Sequence, residues 1–402
     1  MVTENLGEAF GQERVVRIAA EGLRAKGHEI YFLSAQRLGP SPPSHGELLI
    51  EGLFSLHNLS PKKKITASVQ AVKRFVSRTD PHVIHFMDQL HPVIAKELIQ
   101  HYPSVFTAHS VAPTCPASQR LIYPQGVCSQ KSGWSCLLHH RSYQCLSGFK
   151  SDLHRGHAVL NFLQKKKLYQ RVAAVGAISE YVQQTLVRDG WPKEQVPLIY
   201  NPVEMPQAIS SSVNVPHPLI VSACRLVPLK GVDHVLEALA KNADLPWTYW
   251  VFGTGPMEAR WKALSAELGI EKRVIFQGRA SFENLQSVTA KASLFVQANL
   301  GPEGFGLSVA EASALGVPVI SYDQPALNEV IAHNENGFLV SPGDIPGLGH
   351  GIRQILMDPS LGQRLGDRGP ALIQKRFSCD KFIRQTLELY EIALRAKKKN
   401  AA

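Results

Sequence analysis

The stretch NLGPEGFGLSVAEASAL, Asn299 to Leu315, decides how the rest of the chain is read. An apolar run, SLFVQA (Ser293 to Ala298), precedes it and has the character of a buried parallel strand. A strand therefore delivers a glycine-rich loop, and the loop feeds a helix expected to start near Leu307. Gly304 and Gly306 permit backbone angles that other residues resist, so the amides after them can point at a ligand. The partial positive charge of the helix start favours an anion there, most simply a phosphate. Glu303 and Glu311 are eight residues apart, about two helical turns, so both carboxylates can face one side. Carboxylates beside a phosphate site are costly unless they bind hydroxyls, which points to a sugar or ribose as the remainder of the ligand. The plainer reading is a first-turn acid and a solvated surface glutamate.

Composition sets the outer bounds. At 402 residues the chain exceeds one ordinary core, and two domains are expected. Hydrophobic content of 44% with 19% charged residues excludes a disordered chain, and no apolar run approaches the ~20 residues of a membrane span. The start, MVTENLGEAFGQERVVRIAAEGL, has neither a basic n-region nor an apolar h-region, so a cytoplasmic location is expected. Net charge is +10 and uneven: 23 Lys+Arg face 15 Asp+Glu through Gln207, against 20 and 18 beyond it. Lys62 to Lys64 and Lys165 to Lys167 suit an acidic acceptor or anionic lipid head groups, the latter meaning peripheral attachment to the inner face of the membrane; a solvated face is the more common explanation of such runs. No aromatic-interleaved basic patch accompanies the charge, so nucleic acid is not an expected partner.

Taken in order, the chain alternates strands and helices at short spacing, the pattern of parallel sheets with helices on their faces. A loop from Gly7 to Gly11 leads to a helix with Val15, Ile18, Ala19 and Leu23 on one side. Only residues 1–4 remain for a strand before that loop, so the first strand of this domain reads as truncated, with a start upstream of Met1 as the favoured explanation. HEIYFLS, VIHFM, SVFTAHS, VAAVGAIS and VPLIY follow as strands. An insertion over 113–149 interrupts them and carries Cys115, Cys128, Cys136 and Cys145 with His139 and His140 nearby. A structural zinc is one reading; the wide spacings and the lack of a C-x2-C pair leave free thiols as the other. The Pro- and Ser-rich segment 206–217 is the expected hinge, and the rhythm restarts beyond it through 218–378, with a last helix over 379–402.

Arg225 and Lys230 follow the first strand of the second domain, and two fixed cations suit a diphosphate. With Gly253-Thr-Gly-Pro256, the acidic loop above, GQER, TAHS, AISEYV, NPVE and CRLVPLKG, the chain resembles the retaining glycosyltransferases of family four nearly throughout. That resemblance implies the GT-B fold: two Rossmann-like βαβ domains facing each other across a cleft, residues 1–205 on the acceptor side and 218–378 on the donor side, the last helix packing back on the first domain. It implies that Arg225 and Lys230 bind the donor pyrophosphate in place of a metal, that Glu303 contacts the donor sugar and that Glu311 holds the ribose. His109 corresponds to a histidine reaching the donor sugar. Gly11, Gly253, Gly255, Gly278, Arg279, Gly304, Phe305, Gly306 and Leu307 fall at donor-binding positions. No cofactor is required on this reading; the donor is a UDP- or GDP-sugar and the acceptor a glycan, lipid-linked or other small molecule, in cell-surface polysaccharide or glycoconjugate synthesis. The chain departs from the pattern at Phe10-Gly11, where two glycines are usual, and at Ser110, where the family often has Asp or Asn. A nucleotide-sugar epimerase of the same fold and a non-catalytic donor-binding protein stay open as alternatives.

Overall fold

The computed structural model describes all residues except 8–10, 39–45, 51–61, 123–125, 147–150, 207–216 and 402. Phe10, much of the expected hinge and part of the apolar stretch after Leu49 therefore lie outside the described residues. The chain divides into two compact units, one of Met1–Pro202 with Cys379–Ala402 and one of Val203–Ser378.

The first unit is built on a six-stranded parallel sheet. Its strands are β1 (Val2–Gly7), β2 (Phe32–Leu38), β3 (Glu47–Leu49), β4 (Ile84–Phe86), β5 (Ser104–Ala108) and β8 (Ala174–Ala177), in the order β3-β2-β1-β4-β5-β8. A separate antiparallel hairpin, β6 (Leu121–Ile122) and β7 (Gly126–Val127), belongs to the insertion. The helices are α1 (Gln12–Ala25), α2 (Lys62–Thr79), α3 (Pro92–His101), α4 (Ser135–Tyr143), α5 (Asp152–Tyr169) and α6 (Glu180–Arg188). β4, β5 and β8 are buried at every position, as strands covered on both faces must be.

The first strand is longer than the four residues that the sequence left for it. β1 runs six residues and pairs with β2 from Val2↔Leu33 to Gly7↔Leu38, because strand pairing uses backbone groups and tolerates Asn5 and Gly7. Towards β4 its register is a single pair, Val2↔Phe86, continued by Met87 N donating to Val2 O at 2.8 Å. VPLIY, expected as a strand, contributes only a bridge from Leu198 to Ala177.

The second unit repeats the plan. Its strands are β9 (Leu219–Ala223), β10 (Thr248–Phe252), β11 (Val274–Gly278), β12 (Leu294–Gln297), β13 (Val319–Tyr322) and β14 (Gly337–Val340), in the order β11-β10-β9-β12-β13-β14, all parallel. Helices α7 (Val232–Ala240), α8 (Glu258–Glu267), α9 (Phe282–Thr289), α10 (Leu307–Ala314), α11 (Leu327–Val330), α12 (Ile345–Met357) and α13 (Pro359–Phe377) cover it. Val221, Val251, Val296 and Ile320, on adjacent strands, are all fully buried. In both sheets the strand order reverses direction beside the first strand, between β1 and β4 and between β9 and β12, and such a reversal leaves a crevice at the strands' C-terminal ends.

The final helix, α14 (Cys379–Ala401), belongs to the first unit. It packs so closely on α1 that a Cβ at Gly22 would stand 2.5 Å from Ile383 Cδ1. Its Tyr390 hydroxyl lies 2.8 Å from Nδ1 of buried His85, whose Nε2 lies 2.7 Å from Thr107 Oγ1 on β5.

Candidate active site

In the second unit the residues singled out in the sequence gather at the C-terminal ends of four neighbouring strands. Arg225 and Lys230 follow β9, Gly253 and Gly255 follow β10, Gly278 and Arg279 end β11, and Glu303 to Leu307 follow β12. Since β9 lies between β10 and β12, the cationic loop is flanked by the glycine loop on one side and the acidic loop on the other.

Lys230 Nζ donates to Glu303 Oε1, the two side chains being 18% and 21% exposed, so the pair is sheltered but reachable. Glu303 Oε1 also accepts from Asn299 Nδ2 and, at 3.4 Å, from Gln297 Nε2. Gln297 is held in turn by Ser308 Oγ, which donates to its Oε1 at 2.7 Å from the first turn of α10. Glu303 is thus fixed by two buried amides and one ammonium. Sequence reasoning missed both amides. The signal was present: Gln297 is a polar break at the C-terminal end of an otherwise apolar strand, a position that faces ligand in open parallel sheets.

Gly306 at φ 93° provides the left-handed turn that starts α10, and a Cβ there would meet Leu327 Cδ2 at 2.4 Å. Leu307 opens the helix, and Glu311 lies one turn further on, beside Ser308, Phe282 and Gln286 in a small recess at the helix flank. Arg225 is exposed and makes no ion pair among the described residues. Gly253 and Gly255 are required by close packing. A Cβ on Gly253 would lie 1.9 Å from Cys224 O, and Leu226 N donates to Thr254 O at 3.0 Å, so this loop packs backbone on backbone and forms a floor under the cationic loop. Gly253 N also donates to Gly278 O at 2.7 Å, tying that floor to β11. Phe305 turns inward, buried and edge-on to Phe377 at 5.0 Å, so only its backbone borders the site.

The first unit gathers polar groups at the corresponding sheet end, where Lys165 is buried and Asp88 and His109 are partly buried. Asp88, after β4, accepts from Glu4 N at 2.8 Å, Gln12 Nε2 at 2.7 Å and Thr3 Oγ1 at 3.2 Å. Burial pushes its carboxyl up to about 6 against these hydrogen bonds. Lys165 on α5 is 4% exposed and donates to Gln89 O at 3.1 Å; burial lowers its ammonium to about 8. His109, after β5, is lowered to about 4 by burial and is therefore neutral, and its Nε2 has no hydrogen-bond partner among the described residues. Gly11, at φ 39°, stands at the start of α1 and its carbonyl accepts from Val15 N.

One sequence expectation changes here. Lys165 to Lys167 do not form an exposed basic strip: Lys165 is buried, and Lys166 Nζ lies 2.6 Å from Asp189 Oδ2. In the insertion the cysteines lie near enough to act on one another: burial first, then Cys115, Cys136 and Cys128, pushes the Cys145 thiol up to about 11. Cys115, Cys128, Cys136 and Cys145 are half-buried free thiols, and among the described residues no group of three or more His, Cys, Asp or Glu is placed to hold a metal ion. What organises this segment is buried Arg120, which donates to Thr114 Oγ1 at 2.8 Å, Gln130 O at 2.7 Å and Asp189 Oδ1 at 2.8 Å.

Comparison with known proteins fits this geometry. The family model described as Glycosyltransferase Family 4 matches residues 10–205, and that described as Glycosyl transferases group 1 matches residues 207–371. Among curated relatives, the lipopolysaccharide core biosynthesis glycosyltransferase LpsE of Rhizobium meliloti is 32% identical over 162 residues, covering 40% of this chain and 46% of that protein. The MMP alpha-(1->4)-mannosyltransferase of Mycolicibacterium hassiacum is 34% identical over 182 residues, 44% of this chain and 43% of that protein. The chain thus spans under half the length of each of these relatives. Among solved structures, a sucrose-phosphate synthase from Thermosynechococcus elongatus superposes with a TM-score of 0.74 at 20% identity, covering 98% of this chain and 100% of that one. Anabaena Alr3699/HepE in complex with UDP-glucose gives 0.71 at 19% identity, covering 96% and 98%. The two adjoining family models and the shared two-sheet fold establish that the chain belongs to glycosyltransferase family 4 and has the GT-B fold.

Proposed function

We propose that the protein is a retaining, metal-independent glycosyltransferase that moves a hexose from a UDP- or GDP-sugar to a glycan or lipid-linked acceptor in polysaccharide or glycoconjugate synthesis. The observation that carries this reading is the set of Lys230, Glu303, Asn299 and Gln297 beside exposed Arg225 and the start of α10. A diphosphate entering there meets two cations and helix amides, while the carboxylates can accept hydrogen bonds from sugar and ribose hydroxyls. As the anomeric C–O bond breaks, its electron pair moves to the diphosphate oxygen. Lys230 and Arg225 stabilise that growing charge, and Glu303 steadies the cationic sugar. The acceptor hydroxyl forms the new bond on the face the diphosphate leaves, and its proton passes to the departing phosphate oxygen. In the unliganded chain Glu303 occupies Lys230, so the diphosphate must take over that ammonium.

Support for the donor class comes from relatives. Alr3699/HepE was crystallised with UDP-glucose, and a relative in Mycolicibacterium smegmatis, 29% identical over 160 residues, is named as a GDP-mannose-dependent mannosyltransferase. The test is incubation with a panel of labelled nucleotide sugars and candidate acceptors. Transfer of label supports the proposal; an epimerised donor, or binding without turnover across the panel, would replace it.

A further inference from the structure

Helix α4, in the insertion, contains no buried residue. Trp134, at its start, is 60% exposed and Leu138 is 77% exposed; their four-residue spacing puts them on one side, with exposed Arg141 three residues further. His140 Nε2 lies 3.8 Å from Asp152 Oδ1, so the start of α5 sits beside this helix, and the next residue, Leu153, is 70% exposed. Trp134 and Leu138, large apolar side chains so exposed and one helical turn apart, mark an interaction surface rather than scattered surface residues.

The surrounding charge has one sign. No Asp or Glu occurs between Glu97 and Asp152, while Lys131 and Arg141 are exposed. The nearest acids are neutralised: Asp152 is bound by Arg155 at 2.6 Å, and fully buried Asp189 by Arg120 at 2.8 Å and Lys166 at 2.6 Å. Ser132, two residues before Trp134, donates to Asp189 through both its backbone N (2.7 Å) and its hydroxyl (2.5 Å), so the base of the patch is anchored. A tryptophan and a leucine among cations suit the boundary between lipid chains and anionic head groups, where an amphipathic ring lies between water and hydrocarbon. A nine-residue helix spans about 14 Å, which allows it to lie on a bilayer and not to cross one.

We propose that Trp134 and Leu138, with Lys131 and Arg141 nearby in the chain, dock the first unit on an anionic lipid surface. Docking is independent of glycosyl transfer and is read without donor or acceptor. It also differs from the surface expected from the sequence, because within the 165–167 run Lys165 is buried, Lys166 is paired with Asp189 and only Lys167 is exposed.

Trp134 supplies the probe. Of the five tryptophans, Trp191, Trp247 and Trp261 are buried and Trp250 is half-buried. The full chain should cosediment with phosphatidylglycerol vesicles, less so with added salt, and not with phosphatidylcholine alone. Brominated lipid chains should quench its fluorescence, and Trp134→Phe should remove most of that quenching while binding persists. Trp134→Ser with Leu138→Ser should weaken vesicle affinity by about 100-fold, near tenfold per side chain, with an unchanged melting temperature. Arg141→Glu, which leaves the apolar residues in place, should weaken binding at low salt only. Failure to bind anionic vesicles at low salt, or full binding by the double variant, overturns the proposal. So does a concentration-dependent dimer in sedimentation velocity that the double variant abolishes, since the patch would then join two copies of the chain.

Discussion

The two units share one sheet order yet treat charge in opposite ways. In the second unit Lys230 and Glu303 form a sheltered, reachable pair on loops held by close backbone packing. In the first, Lys165 is buried, Asp88 and His109 are partly buried without an ion pair among the described residues, and the titration of all three is displaced by desolvation. The second arrangement suits a multiply charged ligand that exchanges one ion pair for others. The first suits holding a few hydroxyls or one polar group in place, since a carboxyl whose pKa is raised to about 6 takes up a proton under mildly acidic conditions and can then donate as well as accept a hydrogen bond.

The sharpest way to break this contrast is Lys230→Ala. Removing a cation that acts on charge developing in the transition state should lower kcat between about 100- and 1000-fold with the melting temperature nearly unchanged. Steady-state kinetics with the identified donor checks this, and a kcat within threefold of wild type would show that Lys230 serves Glu303 and not the diphosphate. Gly253→Ala comes next: with Cys224 O only 1.9 Å from the new Cβ, the second unit should lose about 3 kcal/mol, seen by denaturant unfolding as an earlier transition of that unit. Glu311→Ala should weaken nucleoside diphosphate binding by roughly 10- to 100-fold in calorimetry, the cost of a lost hydrogen bond to a charged group, with the fold intact.

The smallest effect sharpens the other side of the contrast. The Asp88 carboxyl titrates near 6 in the folded chain against 3.8 ordinarily, so the folded state holds the proton more tightly. Its contribution to stability is complete below about pH 4 and is lost as pH rises through 6. Asp88→Asn should therefore flatten the fall in first-unit stability between pH 4 and 7, by roughly 1–3 kcal/mol across that window, measured by urea unfolding at stepped pH.

Legibility in the sequence follows the same division. The donor-side loops could be read because glycines at tight backbone contacts and charges at strand ends recur at fixed spacing, and Gly253, Gly306, Lys230 and Glu303 all fall at strand ends of one sheet. Asp88 escaped notice because a single acid after a strand has no spacing to betray it; only the hydrogen bonds from Thr3, Glu4 and Gln12, 76 to 85 residues away, give it meaning. The lysine run misled for a similar reason. Three adjacent lysines on a helix point in three directions, and the core claims the one whose side faces it. The strand β1 was underestimated because polar residues hide a backbone pairing that side-chain pattern cannot report.

The closing of the first unit by α14 has a consequence for biosynthesis. Since α1, β5 and β8 await a helix made last, the first unit cannot complete its packing while the ribosome still works through Val203–Ser378, a delay on the order of ten seconds or more. The second unit, whose residues are contiguous, can fold meanwhile. Nascent chains arrested before Cys379 should therefore be more sensitive to protease in the first unit than in the second, a reversal of the usual order in which the earlier-made domain matures first.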